Sequence, residues 1–179
     1  MTDLILLAML AGGPKHGYRL KREAAAVFGQ GELHNNLVYP LLRRFTAEGW
    51  VTKKTMPGSR GQTRQQYAIT PLGRRTLLER LREFSEQDAR SEDAFRTRVG
   101  LFEMLPFEDV ARILSVRENF LRSKNERLEV LQKAMDLGVY GSEVVAFQRR
   151  QIETELAWIR RLHQLNSKQN SRSRDHDRS

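Results

Sequence analysis

The sequence predicts a mainly α-helical chain in two parts. Three helices and a two-stranded hairpin come first, and a longer helical region follows. Three observations predict it. Apolar residues recur at helical spacing between Gly- and Pro-marked stops from Leu4 to Glu48. The pattern then changes to two short β-type runs with turn chemistry between them, Trp50–Thr55 and Gln65–Thr70. Helical spacing returns beyond residue 107, now with apolar residues seven apart.

Each element has a local reason. Leu4, Leu7, Ala8, Leu10 and Ala11 follow Thr2 or Asp3 as N-cap, and Gly12-Gly13-Pro14 stops that first helix. His16–Phe28 reads as the second, with Tyr18, Leu20, Ala24, Val27 and Phe28 available for packing and Gly29-Gln30-Gly31 as its end. The stretch HNNLVYPLLRRFTAEGWV, residues 34–51, opens on Asn35 or Asn36, whose amide can cap an orphaned backbone N–H. Pro40 is expected at or just beyond the first turn, where its missing donor costs little, and Gly49 closes the helix. Met56-Pro57-Gly58 and Gly61 supply the turn of the hairpin. Thr70-Pro71 then serves as N-cap and N1 of a helix through Leu72, Leu77, Leu78, Leu81 and Phe84, to about residue 90.

Charge and composition bound the function. The net charge of +9 is uneven: residues 1–84 carry +8, residues 85–165 carry −1 and residues 166–179 carry +2. A basic half beside a neutral one suits a polyanion-binding module on an uncharged scaffold, although a basic surface can also serve solubility alone. The longest apolar run, Leu4–Ala11, is too short to span a membrane, and Thr2-Asp3 ahead of it does not resemble a signal peptide. The absence of cysteine excludes disulfides, thiolate zinc sites and cysteine nucleophiles, and fits a reducing cytoplasm. There is no Gly-x-Ser-x-Gly, no phosphate loop and no His/carboxylate cluster at metal spacing, so catalysis, a metal and a cofactor are not expected.

Three helices and then a two-stranded wing is the order of a winged helix-turn-helix, in which the third helix enters the major groove and the hairpin tip lies against neighbouring backbone. On the third helix Val38, Leu41, Leu42 and Phe45 form a buried stripe, while Asn36, Tyr39 and Arg43 share another face. That face offers an amide, a phenol and a guanidinium, groups that bond base edges and phosphates. Asn35 and Arg44 flank it. Ser59, Arg60, Gln62, Thr63 and Arg64 at the wing add a second contact, or form an idle loop. Lys15, His16 and Tyr18, around the start of the second helix, complete the expected interface; His16 suits a phosphate contact or a local cap. An alternative use of the same fold is a protein-interaction module, which would need an apolar third-helix surface.

The residues also carry a family likeness. LAMLAGGPKHGYRLKRE, LVYPLLRRFTAEGWV, a Gly-bounded basic loop and QQYAITPLGRRTL together resemble the PadR family of bacterial transcriptional regulators, over roughly residues 4–84. The joint motifs are Gly-Pro-x-His-Gly-Tyr, Val-Tyr-Pro, two basic residues, Glu-Gly-Trp and Tyr-x-x-Thr-Pro-x-Gly. The helical remainder is similar to the longer C-terminal domain of one branch of that family. The resemblance implies a homodimeric, operator-binding repressor, released in some members by a small aromatic or hydrophobic effector. It assigns DNA contact to Tyr39 and its neighbours and to the wing between Pro57 and Arg64. His34-Asn35-Asn36-Leu37 departs from the small-residue run usual before Tyr-Pro, so operator preference does not transfer.

The expected organisation is a DNA-binding domain at 1–84, a helical dimerisation domain at 85–165 and a disordered basic tail at 166–179, which has no apolar residue. Leu114, Leu121, Leu128 and Met135 are spaced by seven, with Leu131 beside them. Gly138–Gly141 is expected to break the helix and Ser142 to cap the next, which carries Ile152, Leu156, Ile159 and Leu162. Such a hairpin has more apolar surface than it can cover alone, which points to a coiled-coil-like dimer on a pseudo-palindromic operator, or to a monomer whose hairpin folds back on its first domain. Phe95, Val99, Phe102 and Leu105, or Tyr140, Phe147 and Trp158, are candidates for lining an effector cavity, or for ordinary core.

Overall fold

The computed structural model describes residues 2–28, 35–57 and 63–176, and the side chains within them except at 25–28, 35–36 and 172–176. It divides into two compact units, Met1–Glu83 and Phe84–Ser179. The glycines expected to end the second helix, and Ser59, Arg60 and Gln62 of the wing tip, lie outside the described residues.

The first unit runs α1 (Thr2–Ala11), β1 (Lys15–His16), α2 (Gly17–Phe28), α3 (Asn35–Ala47), β2 (Val51–Pro57), β3 (Thr63–Ile69) and α4 (Pro71–Arg82). Leu4, Leu6, Leu7 and Leu10 of α1 are all buried, a wider apolar face than a surface helix needs, because α1 packs against α2, α4 and β3. The hairpin is one strand richer than expected. β1 pairs antiparallel with β3 through Lys15↔Tyr67 and His16↔Gln66, giving a three-stranded sheet in the order β1-β3-β2. Two residues are too few for a periodicity to announce a strand, so β1 exists only through its partner. β2 and β3 pair from Val51↔Ile69 to Pro57↔Thr63, two residues further toward the tip than the sequence pattern extends.

Pro40 is the sixth residue of α3, inside the helix and just beyond its first turn. Its ring removes one i→i−4 bond, and the helix is retained because Val38, Leu42 and Phe45 are buried beneath it. Gly49, at φ +74°, ends α3 in the left-handed region where glycine is favoured. α4 is capped as the sequence indicates: Thr70 Oγ1 accepts from Gly73 N at 3.0 Å, with Pro71 at N1. The helix stops at Arg82, short of residue 90.

The second unit has a 3₁₀ turn at Asp88–Arg90, α5 (Glu92–Val99) capped by Ser91, a second 3₁₀ turn at Phe102–Met104, α6 (Phe107–Ala134) and α7 (Gly138–His176). α6 and α7 form a long hairpin. Its core joins Phe84, Ala89 and Phe95 to Val110, Ile113, Leu114 and Leu121 of α6 and Ile152 and Ile159 of α7. Trp158 meets Phe95 edge-on at 5.8 Å. Val99, Phe102, Leu105 and Trp158 pack against this core while partly exposed; the first three also line one open cavity and the tryptophan another.

Two expectations change here. Gly138–Gly141 does not break the helix; α7 begins at Gly138, whose φ of +60° makes the turn, and Ser142 is inside it. Residues 166–176 are helical rather than disordered. Asn166 is buried and donates from Nδ2 to Phe107 O at 3.0 Å, which anchors α7 before its last turns. Ser167 and Ser171 then bond back to the carbonyls four residues earlier. Among the described residues no helix is long and apolar enough to cross a membrane.

Candidate nucleic-acid interface

The two faces of α3 set the site. Val38, Leu42 and Phe45 are fully buried and Leu41 half-buried, so the stripe anticipated from spacing faces the core. Tyr39 and Arg43, four apart and therefore on one face, are exposed. Arg43 forms no ion pair among the described residues. The side chains of Asn35 and Asn36 lie outside the described residues.

Arg44 behaves differently from the residue beside it. Its guanidinium lies 3.6 Å from Asp3 and 3.8 Å from Glu48, and 5.4 Å from the centre of the Phe45 ring. Asp3 also binds Arg80 at 2.7 Å, and Arg80 covers the Trp50 ring at 4.5 Å. Arg44 therefore ties α3 to α1 and, through Asp3, to α4. From the sequence, Arg44 is expected at the flank of the recognition face by its position on the third helix; the turn of a helix puts neighbours about 100° apart, and Arg43 is the one that follows Tyr39.

The start of α2 is similarly mixed. Lys15 Nζ donates to Glu23 at 2.8 Å and Arg19 Nε to the same carboxylate at 2.5 Å. Those bonds, Lys15 first and Arg19 second, hold Glu23 below the usual carboxylate range. His16 Nδ1 is enclosed with no hydrogen-bond partner among the described residues, which leaves only the other ring nitrogen for an anion. Tyr18 is 63% exposed, with Arg22 donating to its hydroxyl at 3.3 Å.

On the wing, Thr63 and Arg64 are exposed at the start of β3, opposite Pro57 and Met56. Beside them are residues the sequence analysis passed over: Lys53 and Lys54 on β2 are both exposed. Their signal is an adjacent lysine pair within a predicted strand. The other omission is Tyr67. It is 6% exposed, at the centre of the sheet, between Lys15 on β1 and Lys53 on β2. Burial pushes its phenol above the ordinary value, the neighbouring Tyr39 phenol adds to the rise, and the Arg43 guanidinium opposes it. A Cβ placed on Gly17 would lie 3.2 Å from both Tyr39 Cε1 and Tyr67 Cε2, so both rings border the space over this bare glycine.

The residues assigned to dimerisation divide by burial. Leu114, Leu121, Ile152 and Ile159 are buried in the core of their own unit, and Leu128, Leu156 and Leu162 pack against it. A seven-residue spacing marks a helix seam without saying which helix fills it, and here α6 and α7 fill each other's. Leu131 and Met135 remain exposed, with Val130, Val139, Tyr140, Val144 and Phe147.

No curated protein matches the sequence of this chain. Among solved structures, the chain is similar to a candidate transcriptional regulator from Thermoplasma acidophilum, with 27% identity over 44% of this chain and 74% of that one, at a TM-score of 0.40. It is similar to Bacillus subtilis PadR in complex with operator DNA, with 18% identity over 92% of this chain and 98% of that one, at 0.45. The same protein in complex with p-coumaric acid matches with 17% identity over 92% and 98% of the two chains, at 0.42. Residues 6–79, which run from the middle of α1 through most of α4 and hold every motif of the interface, match the model of the transcriptional regulator PadR-like family.

Proposed function

We propose that the protein is a dimeric, sequence-specific DNA-binding regulator of transcription, a cytoplasmic repressor acting on a pseudo-palindromic operator. One observation carries the reading: α3 buries Val38, Leu42 and Phe45 while presenting Tyr39 and Arg43 outward, with exposed Lys53 and Lys54 on the adjoining wing. A phenol and a guanidinium one turn apart suit base edges and phosphates of a major groove, and the wing lysines suit the flanking backbone. The amide of Asn36, one turn earlier by spacing, belongs to the same face.

Two copies place two such helices on successive major grooves, about 34 Å apart. Four of the nine leucines, isoleucines and methionine first assigned to that contact are buried in their own unit. The surface that remains for the partner is the exposed apolar end of the α6–α7 hairpin: Leu131, Met135, Val130, Tyr140, Val144 and Phe147. For a small aromatic or hydrophobic effector, the candidate is an open cavity of about 680 Å³ in the second unit, with Phe120, Phe147 and Trp158 among its lining residues.

The test is a selection of bound fragments from host genomic DNA, followed by titration of the selected duplex at several salt concentrations. If a dimer neutralises ~6–10 phosphates, affinity drops ~10³–10⁵-fold between ~50 and ~200 mM salt. Arg43→Ala weakens binding about tenfold or more with an unchanged melting temperature. A flat salt response on every duplex, or an unaltered affinity for Arg43→Ala, would contradict the assigned face.

A further inference from the structure

We propose that Tyr67 is a positioning residue for DNA recognition: from the middle of the sheet it props the Tyr39 ring in the orientation α3 presents, across the gap left by Gly17. The proposal rests on the DNA-binding reading above. It adds that the sheet, through one buried ring, sets the geometry of a contact on another element.

The two tyrosines are unequal partners. Tyr67 is held on both sides by strand pairing, to Lys15 and to Lys53, and is 6% exposed. Tyr39 is 40% exposed on the outer face of α3. One ring is fixed and the other is free to swing unless something backs it. Both rings border the space over Gly17 where α2 starts, and a Cβ there would come within 3.2 Å of each, closer than ordinary carbon–carbon contact at about 3.5–4.0 Å. The Tyr67 phenol also responds to both Tyr39 and Arg43, the two exposed groups of the recognition face, which places it beside them electrostatically.

Gly17 has an ordinary helical start and no positive φ, so its side chain is missing for want of space rather than for backbone freedom. An alanine at 17 would have to push one ring aside. Tyr67 is locked in the sheet, so Tyr39 gives way. This also accounts for three motif residues at once: the Tyr of Tyr-Pro and the Tyr ahead of Thr-Pro both border the Gly of His-Gly-Tyr.

The experiment is a double-substitution cycle read by operator affinity, with circular dichroism and melting temperature recorded for every variant. Tyr67→Leu, which removes the prop, lowers affinity about tenfold in the parent, the scale of one lost polar contact. It lowers affinity no further in a Tyr39→Ala background, because the group it positions is gone. Tyr67→Phe keeps the ring and stays within about twofold of the parent. Gly17→Ala leaves the fold and melting temperature intact and weakens binding severalfold, again only while Tyr39 is present; it decides the matter should Tyr67→Leu not fold. Losses that add across the cycle, a Tyr67→Phe as weak as Tyr67→Leu, or a Gly17→Ala with parental affinity each overturn the positioning role alone. A parent protein that binds no duplex overturns the DNA-binding reading and this inference with it.

Discussion

Gly73 permits a severe and simple test of how the first unit is assembled. A Cβ at this position would lie 2.1 Å from the Trp50 carbonyl oxygen and 2.9 Å from Ile69 Cγ1. Carbon–oxygen contacts ordinarily sit at about 3.3–3.6 Å, so Gly73→Ala requires a displacement of more than about 1 Å. The obstructing atom is backbone, and it is already engaged: Trp50 O accepts from Thr70 N at 2.9 Å, and the one Thr70 hydroxyl proton is given beside it, to Gly49 O at 2.7 Å with Trp50 O 3.1 Å away. Moving α4 away from β2 breaks both bonds at about 1 kcal/mol each. Residual overpacking against the Trp50 carbonyl and Ile69 adds about 1–3 kcal/mol. The total is about 3–5 kcal/mol, against a stability on the order of 4–12 kcal/mol for a unit of this size. For a unit this small the corresponding fall in melting temperature is roughly 15–30 °C. Thermal and urea denaturation followed by far-ultraviolet circular dichroism measures it, with Thr70→Ala as the companion that loses the cap and its bonds but gains no clash, at about 1–2 kcal/mol. A Gly73→Ala protein melting within about 2 °C of the parent would refute the close approach.

Two further outcomes follow from ion pairs within the units. Arg117 is 4% exposed, bonds Glu155 at 2.7 and 2.8 Å and the Ala89 carbonyl, and lies against Phe95 and Phe120. Glu155→Ala strands that cation and costs about 3 kcal/mol in urea denaturation, whereas the Arg117→Met/Glu155→Leu pair recovers most of the loss; a double variant as weak as the single one would show that charge burial is not the cause. Glu23, whose carboxyl is held below its ordinary 4.5, contributes stability that is present above that value and is lost as pH falls through the lower folded-state value. Glu23→Gln should remove this part of the acid response and, by releasing Lys15 and Arg19, tighten low-salt DNA binding and steepen its salt dependence; an unchanged acid melt and salt slope would contradict both.

Much of this was legible in the sequence where it depended on residues close together in the chain. The stripe Val38, Leu42 and Phe45 follows from helical spacing, and the Thr70-Pro71 start of α4 follows from capping chemistry, and both are observed. What was not legible depends on distant partners. β1 is two residues long and exists because Tyr67 and Gln66 face it from fifty positions away in sequence. Arg44 and Arg43 are alike as letters; helix phase and Glu48 four residues on distinguish them locally, but the tie of Arg44 to Asp3 on α1 was not legible. The segment after Leu165 lacks apolar residues, yet it continues a long helix already nucleated by packing, where each added residue needs only one more bond.

The same separation changes the meaning of the basic first half. Its charge of +8 counts cations that the fold uses internally. Arg74 donates to the Ala11 carbonyl at 2.9 Å, at the C-terminal end of α1 where a cation is favoured. Arg44 and Arg80 share Asp3, and Lys15 and Arg19 share Glu23. These five side chains fasten helices to each other or are neutralised locally, and their contribution to the outward field is reduced accordingly. Arg43 on α3 and Lys53 and Lys54 on β2 remain exposed with no such carboxylate partner among the described residues, next to Tyr39 or along the wing. Three such cations among the described residues of each copy make six in a dimer, at the lower end of the ~6–10 phosphates expected for operator binding. A salt slope measured near that lower end would trace to these residues, and one set by all the cations of the half would require the internal pairs to open on binding.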